Sequence, residues 1–311
     1  MELRHLRYFV AVAEAGHMTR AAARLGIQQP PLSQQIRALE RELGTALFRR
    51  HPKGVALTDA GRLVFADAQR ILAEASALEA RMARVAKGLS GTLSVGFTSS
   101  AAAHAFTPKT LRACRTRFPD IELVLSEHNA AEMTEAVVSR RLHCGFLRVP
   151  VARPPDARFE TLLTEPVVVA VPIDHRLARG PAARRVPLAL RDLEAENLIL
   201  VRRPGAPGLY ANLLAKCATD GVRPNVVAEV ERMMTSLNLV AAGTGITVVP
   251  ASMRGAHPKA IVYRSLRSDI GLDAPITLVY RENEPNPAVA TFTSLARSIA
   301  QQWQGKPRTR R

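Results

Sequence analysis

Between residues 64 and 89 the apolar side chains fall at Val64, Ala68, Ile71, Ala75, Leu78, Met82, Val85 and Leu89, in alternating steps of four and three. A 3.5-residue period held for more than three heptads is the pattern of a coiled-coil seam. Thr58, before Asp59-Ala60-Gly61, supplies an N-cap for the helix, and Gly88 and Gly91 lie past its end. A helix of this length cannot cover such a stripe by itself. It needs either a second copy of the chain or a surface of its own chain. The first reading makes Val64, Ala68, Ile71, Ala75, Leu78, Met82 and Val85 dimerisation residues and makes the molecule twofold symmetric.

Upstream of the seam, Leu3, Leu6, Phe9, Val10 and Ala13 predict a helix over 3–15, closed by Gly16. A short helix from Met18 to Leu25 follows, then a turn at Gly26-Ile27. A third helix opens on Gln29-Pro30-Pro31, where proline costs little because first-turn amides are unpaired anyway. It runs through Leu32, Ile36, Leu39 and Leu43 to Gly44. Two short helices joined by a tight turn, the second polar on its outer face, form a helix-turn-helix pattern. An ordinary three-helix bundle with a solvated face is the alternative. On the first reading Gln29, Pro30, Ser33, Gln34 and Arg37 face the major groove, where amides, hydroxyls and guanidinium groups read base edges. Thr19 and Arg20 are placed on phosphates.

Two short apolar runs, Ala46–Phe48 and Val55–Leu57, flank His51-Pro52-Lys53-Gly54 and predict a hairpin. Arg49, Arg50 and Lys53 at its tip read as a basic wing on DNA, or as solvated surface charges.

Residues 1–90 resemble the N-terminal part of LysR-type transcriptional regulators. The matching stretches are Leu3–Phe9, Met18–Ala22, Leu25–Ser33, Ile36–Glu40, Leu43–Arg50 and Leu57–Gly61. The sequence departs from the family's pattern at His17 and Met18, which removes the usual serine cap of the second helix. It departs again at Gln34, where the family often has arginine. The resemblance implies a winged helix-turn-helix at 1–58, a linker helix at 59–90 for dimerisation, an effector-binding domain at 91–303 and a basic tail at 304–311. It further implies a dimer of dimers on double-stranded promoter DNA with pseudo-palindromic half-sites, with RNA polymerase as a partner.

From Thr92 the pattern turns to alternating strands and helices. Strands are expected at 92–97, 121–125, 145–147, 166–171, 198–202, 226–230, 246–249 and 276–280. Helices are expected at 102–118, 131–142, 206–219, 232–242 and 286–302. That alternation predicts an α/β domain with mostly parallel sheets. The passage Leu239–Ile246 followed by Val248-Val249-Pro250 again resembles the family. The implied fold class is α+β multi-domain, in which the sensor has two lobes like periplasmic binding proteins. Lobe I takes about 92–162 and 267–303, and lobe II about 163–266.

Ligands of open α/β sheets bind beyond the carboxyl ends of the strands. Ser99 and Ser100 follow the first sensor strand, Asn129 the second and Arg148 the third; Arg203 and Pro204 follow a strand of lobe II. A cleft lined by these groups suits a small organic acid as effector. For each arginine, an ion pair at the surface or between the lobes is the other reading. A constitutive DNA-binding repressor without a working pocket is the alternative function.

The chain of 311 residues has a formal net charge of +16, and 47% of it is hydrophobic. Residues 1–58 carry +5 of that charge, 59–90 carry +1 and the rest +10, four of it in Lys306, Arg308, Arg310 and Arg311. The excess fits a polyanion partner, although pattern rather than total charge identifies it. No apolar run reaches the roughly 20 residues of a membrane span, and no secretory signal is visible. Together with three unpaired cysteines, Cys114, Cys144 and Cys217, this predicts a cytoplasmic protein without disulfides. Eight scattered histidines show no metal spacing, and no phosphate loop, dinucleotide fingerprint or nucleophile elbow is present. The sequence therefore predicts neither an enzyme, nor a metal, nor a cofactor.

Overall fold

The structure is a computed structural model that describes residues 1–150, 152–179, 186–201 and 208–304. The chain forms two compact units, Met1–Arg84 and Val85–Arg311.

The first unit contains α1 (Leu3–Ala15), α2 (Met18–Arg24), α3 (Gln29–Leu43), the hairpin β1 (Phe48–His51) and β2 (Gly54–Leu57), and most of α4 (Asp59–Ala86). Its core is Leu6, Phe9 and Val12 of α1, Ala21 and Ala22 of α2, and Leu32, Ile36 and Leu39 of α3. The small Ala21 and Ala22 let α2 lie close to its neighbours. Phe9 is fully buried, with its ring centroid 5.2 Å from that of Phe48, which ties the wing to the helices. The wing also docks through its backbone: the Val55 amide donates to the Gly16 carbonyl (2.9 Å). Gly54 adopts φ +136°, and a Cβ there would lie 2.2 Å from the same oxygen, so only glycine fits.

Helix α4 starts as expected, since Thr58 Oγ1 accepts from the Gly61 amide (2.9 Å). The heptad stripe, however, divides. Ala68 is buried in the core of its own unit, with Val64 and Ile71 packed against it. Further along, Leu78, Met82 and Val85 are 50%, 54% and 39% exposed. Leu89 lies beyond the end of the helix. The stripe thus combines both readings, own chain first and an open face after.

In the second unit, β3 (Gly91–Phe97) pairs in parallel with β4 (Ile121–Glu127) and β5 (Cys144–Leu147). Antiparallel to β5 runs β11 (Asp273–Arg281), and antiparallel to β11 the first part of β6 (Ala157–Pro172). At Pro166/Val167 that 16-residue strand leaves this sheet partner and pairs instead with β9 (Thr247–Pro250) and β10 (Ile261–Ser265). The parallel pair β7 (Asn197–Val201) and β8 (Asn225–Val230) completes the second lobe. Helices cover both faces of each lobe. In lobe I, α6 (Phe106–Arg117) and α10 (Pro287–Gln304) pack on one side and α7 (Ala130–Val138) on the other. In lobe II these places go to α8 (Leu209–Thr219) and α9 (Met233–Ala241).

Several expectations are corrected. The sheets are mixed rather than mostly parallel, because β6 and β11 pass between the lobes and run against their neighbours. The strand expected at 166–171 starts nine residues earlier, and β10 was not anticipated. The helix expected at 102–118 is two helices, α5 (Ser99–Ala102) and α6. Pro108 explains the break: a helix running through it would lose a hydrogen bond and press its ring on the His104 carbonyl, whereas the first turn of a new helix tolerates it. Helix α7 stops at Val138, not 142, because Arg140 takes a left-handed conformation, φ 64°. No glycine marks that stop.

Candidate functional site

The first candidate surface lies on the N-terminal unit. In α3, Leu32, Ile36 and Leu39 face inward, so Pro30, Ser33, Gln34 and Arg37 lie on the opposite side by helical spacing. Pro30, Gln34 and Arg37 are exposed, while Gln29 and Ser33 are half-buried. Thr19 and Arg20 of α2 and Arg49, Arg50 and Lys53 of the wing are all exposed. Among the described residues these cations form no ion pairs, whereas two of α4 do: Arg62 with Asp59, and Arg70 with Asp67 and Glu74. Unpaired cations beside an exposed amide, here Gln34, suit a polyanion surface.

Two supports of this surface escaped the sequence reading. His17 replaces the missing serine cap of α2, because its Nδ1 accepts from the Thr19 amide (3.2 Å). A Glu40 carboxylate oxygen accepts from the amides of Leu47 (2.8 Å) and Phe48 (3.1 Å), fixing where the wing leaves α3. An imidazole nitrogen is a sufficient acceptor for a cap, which residue preferences alone would not reveal.

The second candidate is a cavity of about 550 Å³ between the lobes of the second unit. Its wall is built where strands β3, β4, β5, β7 and β8 end, at Thr98–Ser100, Glu127–Glu132, Arg148, Val201 and Glu231–Met233. Five strand ends converge on one space, as the rule for open α/β sheets requires. Leu209, Met233, Val149, Pro250 and Pro275 make much of the remaining lining apolar.

Ser99, Ser100, Asn129 and Arg148 are brought together here. Arg203 and Pro204 lie outside the described residues. Thr98 caps α5, accepting from the Ala101 amide (3.2 Å), and its Oγ1 lies 3.3 Å from Ser100 Oγ. Asn129 is engaged as the cap of α7: its Oδ1 accepts from the amides of Ala131 (3.0 Å) and Glu132 (2.9 Å).

Arg148 is not an open cation. Its guanidinium pairs with Glu165 of β6 (2.7 Å) and donates to the Ser100 carbonyl (2.5 Å) and to Ser252 Oγ (3.2 Å). Glu165 in turn accepts from the Ser252 amide (2.6 Å) and hydroxyl (2.8 Å). Burial pulls the Arg148 guanidinium below its ordinary value, and Glu165 acts in the opposite direction. The geometry thus shows a buried ion pair at the junction of the lobes, beside the cavity. Lobe I supplies Arg148, lobe II supplies Ser252, and Glu165 stands on the strand that joins them.

The cavity also has a polar clasp that the sequence reading missed. Arg232, the N-cap residue of α9, pairs with Glu127 at the end of β4 across the lobes (2.6 Å). Glu127 ends β4 and Arg232 follows β8, the same strand-end signal that points to Arg148 and Arg203.

These features define a DNA-facing helical unit followed by a two-lobed small-molecule domain. Comparison with known proteins places both halves. Residues 3–62 match the bacterial regulatory helix-turn-helix protein, lysR family, and residues 86–301 match the LysR substrate binding domain. The regulator BudR of Raoultella terrigena is 37% identical over 295 residues, covering 95% of this chain and all of BudR. The crystal structure of CbnR, a LysR family transcriptional regulator, superposes with a TM-score of 0.82 at 32% identity, over 96% of this chain and all of that one. Full-length CbnR complexed with its target DNA gives 0.78 at 31% identity, with the same coverage. The chain belongs to the LysR family of DNA-binding transcriptional regulators, which join a helix-turn-helix to a substrate-binding domain for small effectors. No helix among the described residues is long and apolar enough to cross a membrane.

Proposed function

We propose that this chain works in the cytoplasm as an effector-responsive regulator whose two-copy unit reads a pseudo-palindromic promoter. Gln29, Pro30, Ser33, Gln34 and Arg37 meet base edges, while Thr19, Arg20, Arg49, Arg50 and Lys53 hold phosphates. Copies join along the open face at Ala75, Leu78, Met82 and Val85, and two such dimers assemble into a tetramer that contacts RNA polymerase. The observation that carries the DNA reading is the set of unpaired cations flanking the exposed Gln34 and Arg37 face of α3.

The effector is a small organic acid with an apolar body. Ser99 and Ser100 receive its polar end, with Asn129 beside them and Arg148 fixing Ser100 from behind. Arg203 and Pro204 belong to the same proposal on sequence grounds alone. The protein binds the acid and releases it unchanged. A switch of this kind needs different affinities in two lobe arrangements, and a cavity walled by both lobes provides them. The constitutive alternative leaves that cavity without a role.

The test is fluorescence anisotropy on duplex DNA from the region upstream of the gene. Arg37→Ala and Gln29→Ala should each weaken binding by about tenfold or more, with oligomer size unchanged by light scattering. Unchanged affinity would remove α3 as the reading helix. Footprints that stay the same across a panel of small acids would favour the constitutive alternative.

A further inference from the structure

Among the described residues lining the cavity, the arginines are Arg148 and Arg232. They differ in what holds them. Arg148 is buried, and its charge is met by Glu165 inside a network of hydrogen bonds. Arg232 is largely exposed, and it pairs with the Glu127 carboxylate of the opposite lobe. An exposed pair of this kind is weakly held, because water solvates both groups when they part. Arginine nevertheless recognises a carboxylate strongly when geometry allows two parallel hydrogen bonds. The pair is therefore easily exchanged for another carboxylate.

We propose that Arg232 is the acid-selecting cation of the cavity and that Glu127 is its built-in competitor. The proposal rests on the reading of the cavity as an acid-binding site and assigns that site its charge. In this structure Glu127 clasps the lobes directly. An acid that takes Arg232 displaces Glu127, while the rest of the acid extends toward Ser99 and Ser100 on lobe I, where a second polar group, if it carries one, is met. A direct bridge between lobes becomes one whose length is set by the ligand. The N-terminal end of α9 adds to the preference of Arg232 for a negative partner. Specificity follows: a neutral analogue gains nothing at Arg232 and leaves the clasp closed.

Two measurements on the full chain test this. The first is hydrogen exchange without added acid. Glu127→Gln and Arg232→Gln should both speed exchange in segments 127–132 and 231–236, and the double exchange Glu127→Arg with Arg232→Glu should slow it again. Unaltered exchange in both single variants overturns the clasp. The second is calorimetric titration with phenylacetate, succinate and the neutral phenylacetamide. Arg232→Gln should weaken binding of the acids by about tenfold, and Glu127→Gln should tighten it several-fold. Phenylacetamide should respond to neither. Acid binding that is no tighter in Glu127→Gln overturns the competitor role. If neither wild type nor Glu127→Gln binds any acid, the acid reading of the cavity fails and the role of Arg232 with it, while the exchange result still decides the clasp.

Discussion

Arg148 shows how a side chain that lines a ligand cavity can have its charge paired within the protein. It follows a strand end and touches the cavity, yet its charge is already matched by Glu165. A buried ion pair adds little net stability, but removing one partner leaves the other charge buried and alone. Glu165→Leu should therefore destabilise the sensor unit by about 3–5 kcal/mol in denaturant unfolding, whereas Arg148→Met with Glu165→Leu should recover much of the loss. A loss in the double variant equal to the sum of the losses in Glu165→Leu and Arg148→Met alone would show that the two charges act independently. The pairing was not legible in the sequence, because Arg148 and Glu165 meet only through the register of strands that pair far along the chain. His17 teaches the converse. The sequence showed a missing serine, and the fold supplied an imidazole acceptor in its place.

At the scale of elements, α4 carries the longest periodic signal in the chain and serves two surfaces. Its first turns complete the helix-turn-helix core through Val64, Ala68 and Ile71; its later turns present Leu78, Met82 and Val85. Leu78→Asp should break self-association while leaving the N-terminal unit folded, read by light scattering together with circular dichroism. A dimer that persists would move the interface elsewhere. The period gave the stripe but could not divide it, since a seam position looks the same whether it faces its own chain or another. Helices with caps and periodic faces, α1 to α3, were legible almost to the residue. The break before Pro108 and the stop at Arg140 were not: one depends on where a carbonyl lies, the other on a backbone conformation that no glycine announces.

For the whole molecule, the net charge of +16 is a poor guide to where DNA binds, because most of it lies beyond residue 90. The better guide is which cations are unpaired. Lys53→Ala should lower the slope of log affinity against log salt by about one for each wing that contacts a phosphate, with little change in sequence preference. A slope that does not move would take the wing off the DNA. Sensor and reader also differ in how they were found. The reader was legible as a run of local signals within sixty residues. The cavity is assembled from five strand ends spread over more than a hundred residues, so the sequence named Ser99, Ser100, Asn129 and Arg148 one at a time and overlooked Glu127, Arg232, Glu165 and Ser252.

By itself the sequence determined the helix-turn-helix, the wing, the long helix, the alternation of the sensor and the family. Each is written in near-neighbour spacing, caps and turns, and near-neighbour physics acts within a few residues. Only the tertiary structure decided that the sheets are mixed, that half of the α4 stripe is already covered, and that the charge of Arg148 is answered inside the protein while that of Arg232 is held by an exchangeable partner. Those outcomes depend on which distant groups share a space, and on how much water remains there to screen them.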